Sequence, residues 1–153
     1  MRVTFVVAAL DMGGGIRVIA QYAEGLRQRG HDVTVVVPAQ RPYRLSDKIG
    51  NLLPFGNRRF KKSHFDGTGV KVKVLERFRP VRASDAPEAD IVIATWWETA
   101  EWIADFPENR GRKVHFVQGY EIWNGDQERV DACLGLPTKK ITISRYIERI
   151  LVD

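Results

Sequence analysis

A single cysteine, Cys133, is all the chain contains, so an internal disulfide framework is excluded and a reducing compartment fits. Histidine is scarce too: three residues, scattered, which with one cysteine leave no metal-ligand cluster. No apolar run approaches the length of a membrane-spanning helix. Repeats and low-complexity tracts are absent. Acidic residues are the minority, 19 against 24 basic ones, for a net charge of +5. What remains is a chain of 153 residues, enough for one domain around one core.

The organising stretch lies near the start. Arg2 to Leu10 is an apolar run of strand length, read as a strand buried on both faces. A signal peptide is the alternative, but the run leads into a glycine turn and an amphipathic helix, which a core strand explains better. Asp11-Met12-Gly13-Gly14-Gly15-Ile16-Arg17 follows, and then Ile16, Ile19, Ala20, Ala23 and Leu26 recur at helical spacing. Gly30 stands where a helix takes a left-handed stop. Asp32 to Pro38 reads as a second buried strand. Strand, glycine turn, helix and strand make a βαβ unit whose strands are parallel neighbours.

Glycines at the carboxyl end of the first strand either turn the chain through positive φ or leave the backbone bare for a ligand. Three in a row exceed what a turn needs, which favours a ligand-facing loop. The amides of Gly14, Gly15 and Ile16 would then be unsatisfied donors that attract an anion. A dinucleotide is the obvious ligand, and the sequence argues against it. The fingerprint G-x-G-x-x-G starting at Gly13 needs glycine where Val18 stands. The acidic residue expected at the end of the second strand is replaced by Pro38, Ala39 and Gln40, with Asp32 at the opposite end.

Most of the positive charge sits in one insertion, about 41–69. Between Arg41 and Lys62 seven basic side chains face the single acidic Asp47, a net of +6, with Tyr43, Leu52, Phe55 and Phe60 among the interleaved apolar residues; Phe65 follows just beyond. This is either a long solvated surface excursion or a contact with an anionic membrane or a phosphorylated acceptor. Nucleic acid is not indicated, since nothing resembles a nucleic-acid-reading module.

From Val70 the strands resume. Val70 to Leu75 alternates apolar residues with lysine, as an edge strand with one solvated face does. Ala89–Thr95, Arg112–Val117 and Lys139–Ile143 are further strands, with helices predicted at about Glu98 to Asp105, Asp126 to Leu134 and after a capping Ser144. The alternation predicts an α/β, doubly wound, mostly parallel sheet in the order 3-2-1-4-5-6, with helices on both faces. All carboxyl ends of such strands point to one rim. The glycine loop with Arg17, then Trp96, Trp97 and Glu98, then Gln118, Tyr120 and Glu121, then Ser144 and Arg145 should gather there. Exposed aromatics beside hydrogen-bonding groups suit a sugar ring. One of the two tryptophans is expected to pack under the following helix. His115, inside a strand, is expected to be a satisfied core histidine, and His31 lies on the edge away from the cleft.

Met12 to Arg17, followed by Leu26 to Val33, resembles the opening of retaining GT-B glycosyltransferases of the group 1 (family 4) class. Lys139 to Tyr146 is similar to the strand and serine-led helix near the end of that family's amino-terminal domain. The resemblance implies a Rossmann-like domain, one half of a two-domain enzyme whose carboxy-terminal half binds a nucleotide-sugar and lies outside residues 1–153. It implies transfer of a sugar, with retention, to the hydroxyl of a glycan or lipid-linked acceptor, and no tightly bound cofactor beyond the nucleotide-sugar co-substrate. Gly13, Gly14 and Gly15 would approach the donor phosphates and acceptor. Gln118 stands where many members place a histidine facing the reacting sugar, and Gln118-Gly119-Tyr120-Glu121 looks closer to a rhamnosyl- or polysaccharide-building subset. Glu121 is placed to take the acceptor hydroxyl's proton or to bind sugar hydroxyls; capping the next helix or pairing with Arg145 or Arg17 are its alternatives. The implied location is cytoplasmic, peripheral to the inner face of the membrane. The helical pattern running into Asp153 is expected to continue, and because the nucleotide would be held by the other half, residues 1–153 by themselves are expected to be inactive. An NAD(P)-binding oxidoreductase domain and a non-catalytic membrane- or partner-binding module are the rival classes.

Overall fold

Val3, Phe5 and Val7 alternate with Thr4 and Val6, and both sets are buried, so the first strand needs cover on both faces. The computed structural model describes residues 1–40, 62–120, 122 and 127–152, and supplies that cover. Strand β1 (Arg2–Val6) leads through the glycine loop to helix α1 (Gly14–Gln28) and returns as β2 (Asp32–Val37). The edge strand β3 (Lys71–Val74) follows, then β4 (Ile91–Ala94), α2 (Trp97–Ala104), β5 (Arg112–Val117), α3 (Gln127–Gly135), β6 (Lys139–Thr142) and α4 (Arg145–Val152). The order across the sheet is β3-β2-β1-β4-β5-β6, every pair parallel, which is the predicted doubly wound order.

One face packs Val3, Phe5, Val33, Val35 and Phe116 against Ile19, Ala20 and Ala23 of α1. The other packs Val6, Val36 and Val92 against Ala100, Ile103 and Phe106 of the α2 region. Helix α1 ends as its sequence requires. Gly30 takes φ +84°, its amide donates to the Arg27 carbonyl at 2.9 Å, and the His31 amide reaches back to Leu26 at 3.2 Å.

Three expectations change. The first strand stops at Val6 rather than Leu10: the Val7 amide still reaches the Val36 carbonyl at 3.0 Å, and the chain then swings out to the loop. Strand β3 has no buried face, with Val72 and Val74 36% and 41% exposed, because no described element covers an edge strand there. Phe65, grouped with the insertion's apolar residues, is instead core: Ser63 to Thr68 fold as a tight turn that buries it beside Val70 on the α1 face. Burying such a ring contributes about 2–3 kcal/mol. The rest of the basic stretch, 41–61, lies outside the described residues.

Candidate functional site at the carboxyl rim

Because all six strands run parallel, Val6, Val37, Ala94, Val117 and Thr142 end on one edge, and the segments that follow share one rim. Its centre is the start of α1. Gly13 is the N-cap, at φ −66° and ψ 152°, and among the described residues no side chain caps the helix. The first helical bond runs from the Arg17 amide to the Gly13 carbonyl at 3.0 Å, so the amides of Gly14, Gly15 and Ile16 point out of the helix without an intrahelical partner.

No left-handed turn requires the three glycines of the loop. None of the three has positive φ; among the described residues only Gly30, Gly67 and Gly111 do. A Cβ on Gly13 would lie 2.9 Å from Asp11 Oδ1, whereas one on Gly14 would meet none of the described residues within 4 Å. A Cβ on Gly15 would touch the Gln118 side-chain amide at 3.6 Å, so the loop after β1 and the turn after β5 meet across β4. Arg17, two residues after Gly15, is exposed, with no carboxylate partner among the described residues.

The other rim residues divide. Trp96 is half-buried at the N-cap of α2, and the Thr99 hydroxyl fixes that corner, accepting from the Thr95 and Trp96 amides at 2.9 and 3.0 Å. Glu98, half-buried, sits in the first turn of α2. Trp97 is the tryptophan that packs inward: it is buried with Val130 and Cys133, and the Arg129 guanidinium lies 4.9 Å from its ring centre. Its role as an exposed sugar platform is therefore withdrawn. Arg129 is itself held by Glu101 through two hydrogen bonds of 2.7 and 2.6 Å. Tyr120 donates its hydroxyl to Asp131 at 2.8 Å; that bond and partial burial raise its pKa and tie it to α3. Ser144 caps α4 as predicted, its Oγ accepting the Ile147 amide at 3.3 Å, and Arg145 beside it is exposed. Glu121 lies outside the described residues.

His115 corrects its expectation. It is buried on the α2 face of β5, yet Nδ1 has no partner among the described residues. Burial first, and Lys140 second, push its pKa down to about 4, so the ring is neutral. The cavity bounded by His115, Trp96, Trp97 and Gln118 holds only about 10 Å³, too little for a sugar. Burial likewise raises the Cys133 thiol to about 12, which excludes it as a nucleophile.

Two contacts escaped the sequence. Asp11 accepts the Gly13 amide at 2.7 Å, an Asx-type bond whose signal, Asp two residues ahead of the amide it binds, was there to read. The His64 ring nitrogen Nε2 lies 3.0 Å from the Met12 carbonyl oxygen, a long-range contact with no local signal. Among the described residues no helix is long and apolar enough to cross a membrane.

No curated protein and no solved structure matches the chain. Residues 13–152 match the family described as the glycosyl transferase 4-like domain. That match begins at the first glycine of the bare loop and spans the rim through α4, so the chain belongs to the glycosyl transferase 4-like domain family, a family of glycosyltransferases.

Proposed function

We propose that this chain is the acceptor-side half of a retaining hexosyltransferase that moves a sugar from a nucleotide-sugar to a hydroxyl of a glycan or lipid-linked acceptor, in polysaccharide building. One observation carries the reading: the start of α1, uncapped by any described side chain, opens beside Gln118, with none of the described residues in front of Gly14. Backbone amides fixed at a helix start are preorganised donors for a diphosphate whose negative charge grows as the sugar leaves. Arg17 adds a cation to the same corner. Gln118 binds a sugar hydroxyl through its amide but carries no titratable proton, so it cannot replace a histidine as acid or base. Glu121 is the candidate to receive the acceptor's proton. Trp96 offers its ring to the acceptor sugar, with Glu98, Tyr120, Ser144 and Arg145 around it.

In this reading a carboxy-terminal domain holds the nucleotide, and sugar transfer requires both halves. The stretch Arg41–Lys62 docks the enzyme on an anionic inner membrane face. Val18 weighs against the NAD(P) alternative: it is half-buried and packs against the α1-side core at the position where a dinucleotide loop needs glycine.

The test uses inorganic pyrophosphate as the probe of the donor's diphosphate. Titrated into the isotopically labelled chain, it should shift the amide signals of Gly14, Gly15 and Ile16 with a dissociation constant on the order of millimolar. Absence of any loop response overturns the donor-phosphate role. Multiple-turnover transfer by residues 1–153 alone overturns the two-domain assignment.

A further inference from the structure

A run of three glycines is costly to hold still, because glycine loses more backbone freedom on ordering than any other residue. Here no side chain of the described residues caps the helix, and none of the three is trapped in a left-handed well. Something else must fix the direction of the amides. The peptide unit joining Met12 to Gly13 has one donor and one acceptor, and both are taken by side chains. Its N–H donates to Asp11 Oδ1 at 2.7 Å. Its C=O lies 3.0 Å from His64 Nε2. A carbonyl oxygen only accepts, so Nε2 carries the proton and donates. The next carbonyl, that of Gly13, accepts the Arg17 amide at 3.0 Å.

His64 reaches the loop from 52 residues away, and its delivery is built. The Ser63 amide donates to Asp66 Oδ2 at 2.9 Å, the Asp66 amide to the Ser63 carbonyl at 3.0 Å, and the Thr68 amide to the Phe65 carbonyl at 3.1 Å. Gly67 at φ +81° closes the turn. Phe65, next to His64, is buried in the α1-side core, and the Gly69 amide is held by Glu24 of α1 at 3.2 Å. The turn is thus sewn to the carboxyl-terminal part of α1 through Glu24, and His64 ties it to the loop.

We propose that His64 is a positioning residue of the glycine loop: with Asp11 it clamps the Met12–Gly13 peptide from both sides and so sets the direction of the three amides that follow. The proposal rests on the reading of that loop as anion-facing for its purpose, but not for its geometry.

The experiment compares the labelled wild-type chain with His64→Ala and His64→Gln, after checking that the sheet amides keep their shifts. Without ligand, the neutral imidazole should show the Nε2–H tautomer in its ring nitrogen shifts. His64→Ala should speed exchange of the Gly13 amide about tenfold, the loss of roughly one hydrogen bond. It should also raise the pyrophosphate concentration for half-response several-fold. His64→Gln, whose side-chain nitrogen reaches as far as Nε2, should restore most of both. The Nδ1–H tautomer, unchanged Gly13 exchange in His64→Ala, or no recovery in His64→Gln overturns the clamp. If pyrophosphate moves no loop amide in the wild type while Gly13 still loses protection in His64→Ala, the clamp stands and the anion-facing reading falls.

Discussion

The two edges of the sheet are built from the same strands and treat their charge in opposite ways. At the edge where strands begin, charged groups pair with one another. The Arg2 amide donates to Asp90 at 2.7 Å, and its guanidinium reaches Asp90 at 3.2 Å and Glu88 at 3.5 Å. Lys71 meets Asp32 at 2.8 Å, and Asp85 takes Arg79 through bonds of 2.5 and 2.7 Å. A groove of about 540 Å³ runs along this edge, but its walls are largely neutralised by each other. At the rim where strands end, Asp11 and Glu98 are present, but Arg17, Arg145 and the amides of Gly14, Gly15 and Ile16 have no bonded carboxylate partner among the described residues. Pairing stabilises the first edge. The second keeps its donors available, which is what binding an anion needs.

The comparison breaks most easily at Gly111, which precedes β5 on the paired edge. It takes φ +99°, and a Cβ there would lie 2.7 Å from the Ile91 backbone nitrogen. Gly111→Ala should cost about 3 kcal/mol or more in denaturant unfolding, since neither strain nor clash can relax without parting β4 from β5.

Acid should separate the two edges by pH. Beneath the rim, the pKa of His115 falls from 6.5 to about 4 on folding. The unfolded chain therefore binds the proton first, and stability should drop as pH falls from about 6.5 to about 4, by about 2–3 kcal/mol. His115→Phe should flatten that slope. On the paired edge Asp85 is held down from 3.8 to about 2, chiefly by Arg79 and against its own burial. Its contribution is present above pH 4 and lost between about pH 4 and pH 2. Asp85→Asn should cost about 1.5–2 kcal/mol at neutral pH and remove that lower step. A single featureless acid transition unaffected by either variant would show the edges to be energetically alike.

At the rim the expected effect is on binding. Gly14→Val adds a side chain where none of the described residues stands, so unfolding should move by less than about 0.5 kcal/mol. The pyrophosphate response should weaken at least tenfold, about 1.4 kcal/mol. The smallest effect belongs to the exposed pair of Lys71, 71% accessible, with Asp32, 57% accessible. A double-mutant cycle there should give under about 0.5 kcal/mol, fading with salt.

Much of this was legible along the chain. The α1 pattern, the stop at Gly30 and the strand order follow from local periodicity and the handedness of parallel crossovers, both short-range rules. Which tryptophan turns inward was not legible. Trp96 and Trp97 are adjacent and chemically identical, and only the arrival of Val130 and Cys133 from α3 buries one of them. Phe65 sits among charges in sequence, yet packs in the core because Gly67 and Asp66 bend the chain back over α1.

The amino-acid sequence by itself determined the parallel sheet, the bare corner at the head of α1 and the rim to which the strand ends lead. Each of those depends on neighbours within a few residues or on the fixed hand of the chain. Only the tertiary structure decided what stands around that corner: Gln118 against Gly15, His64 on Met12, Trp97 withdrawn under α3. Such contacts join residues far apart in the chain, and their geometry exists only once the helices have docked on the sheet.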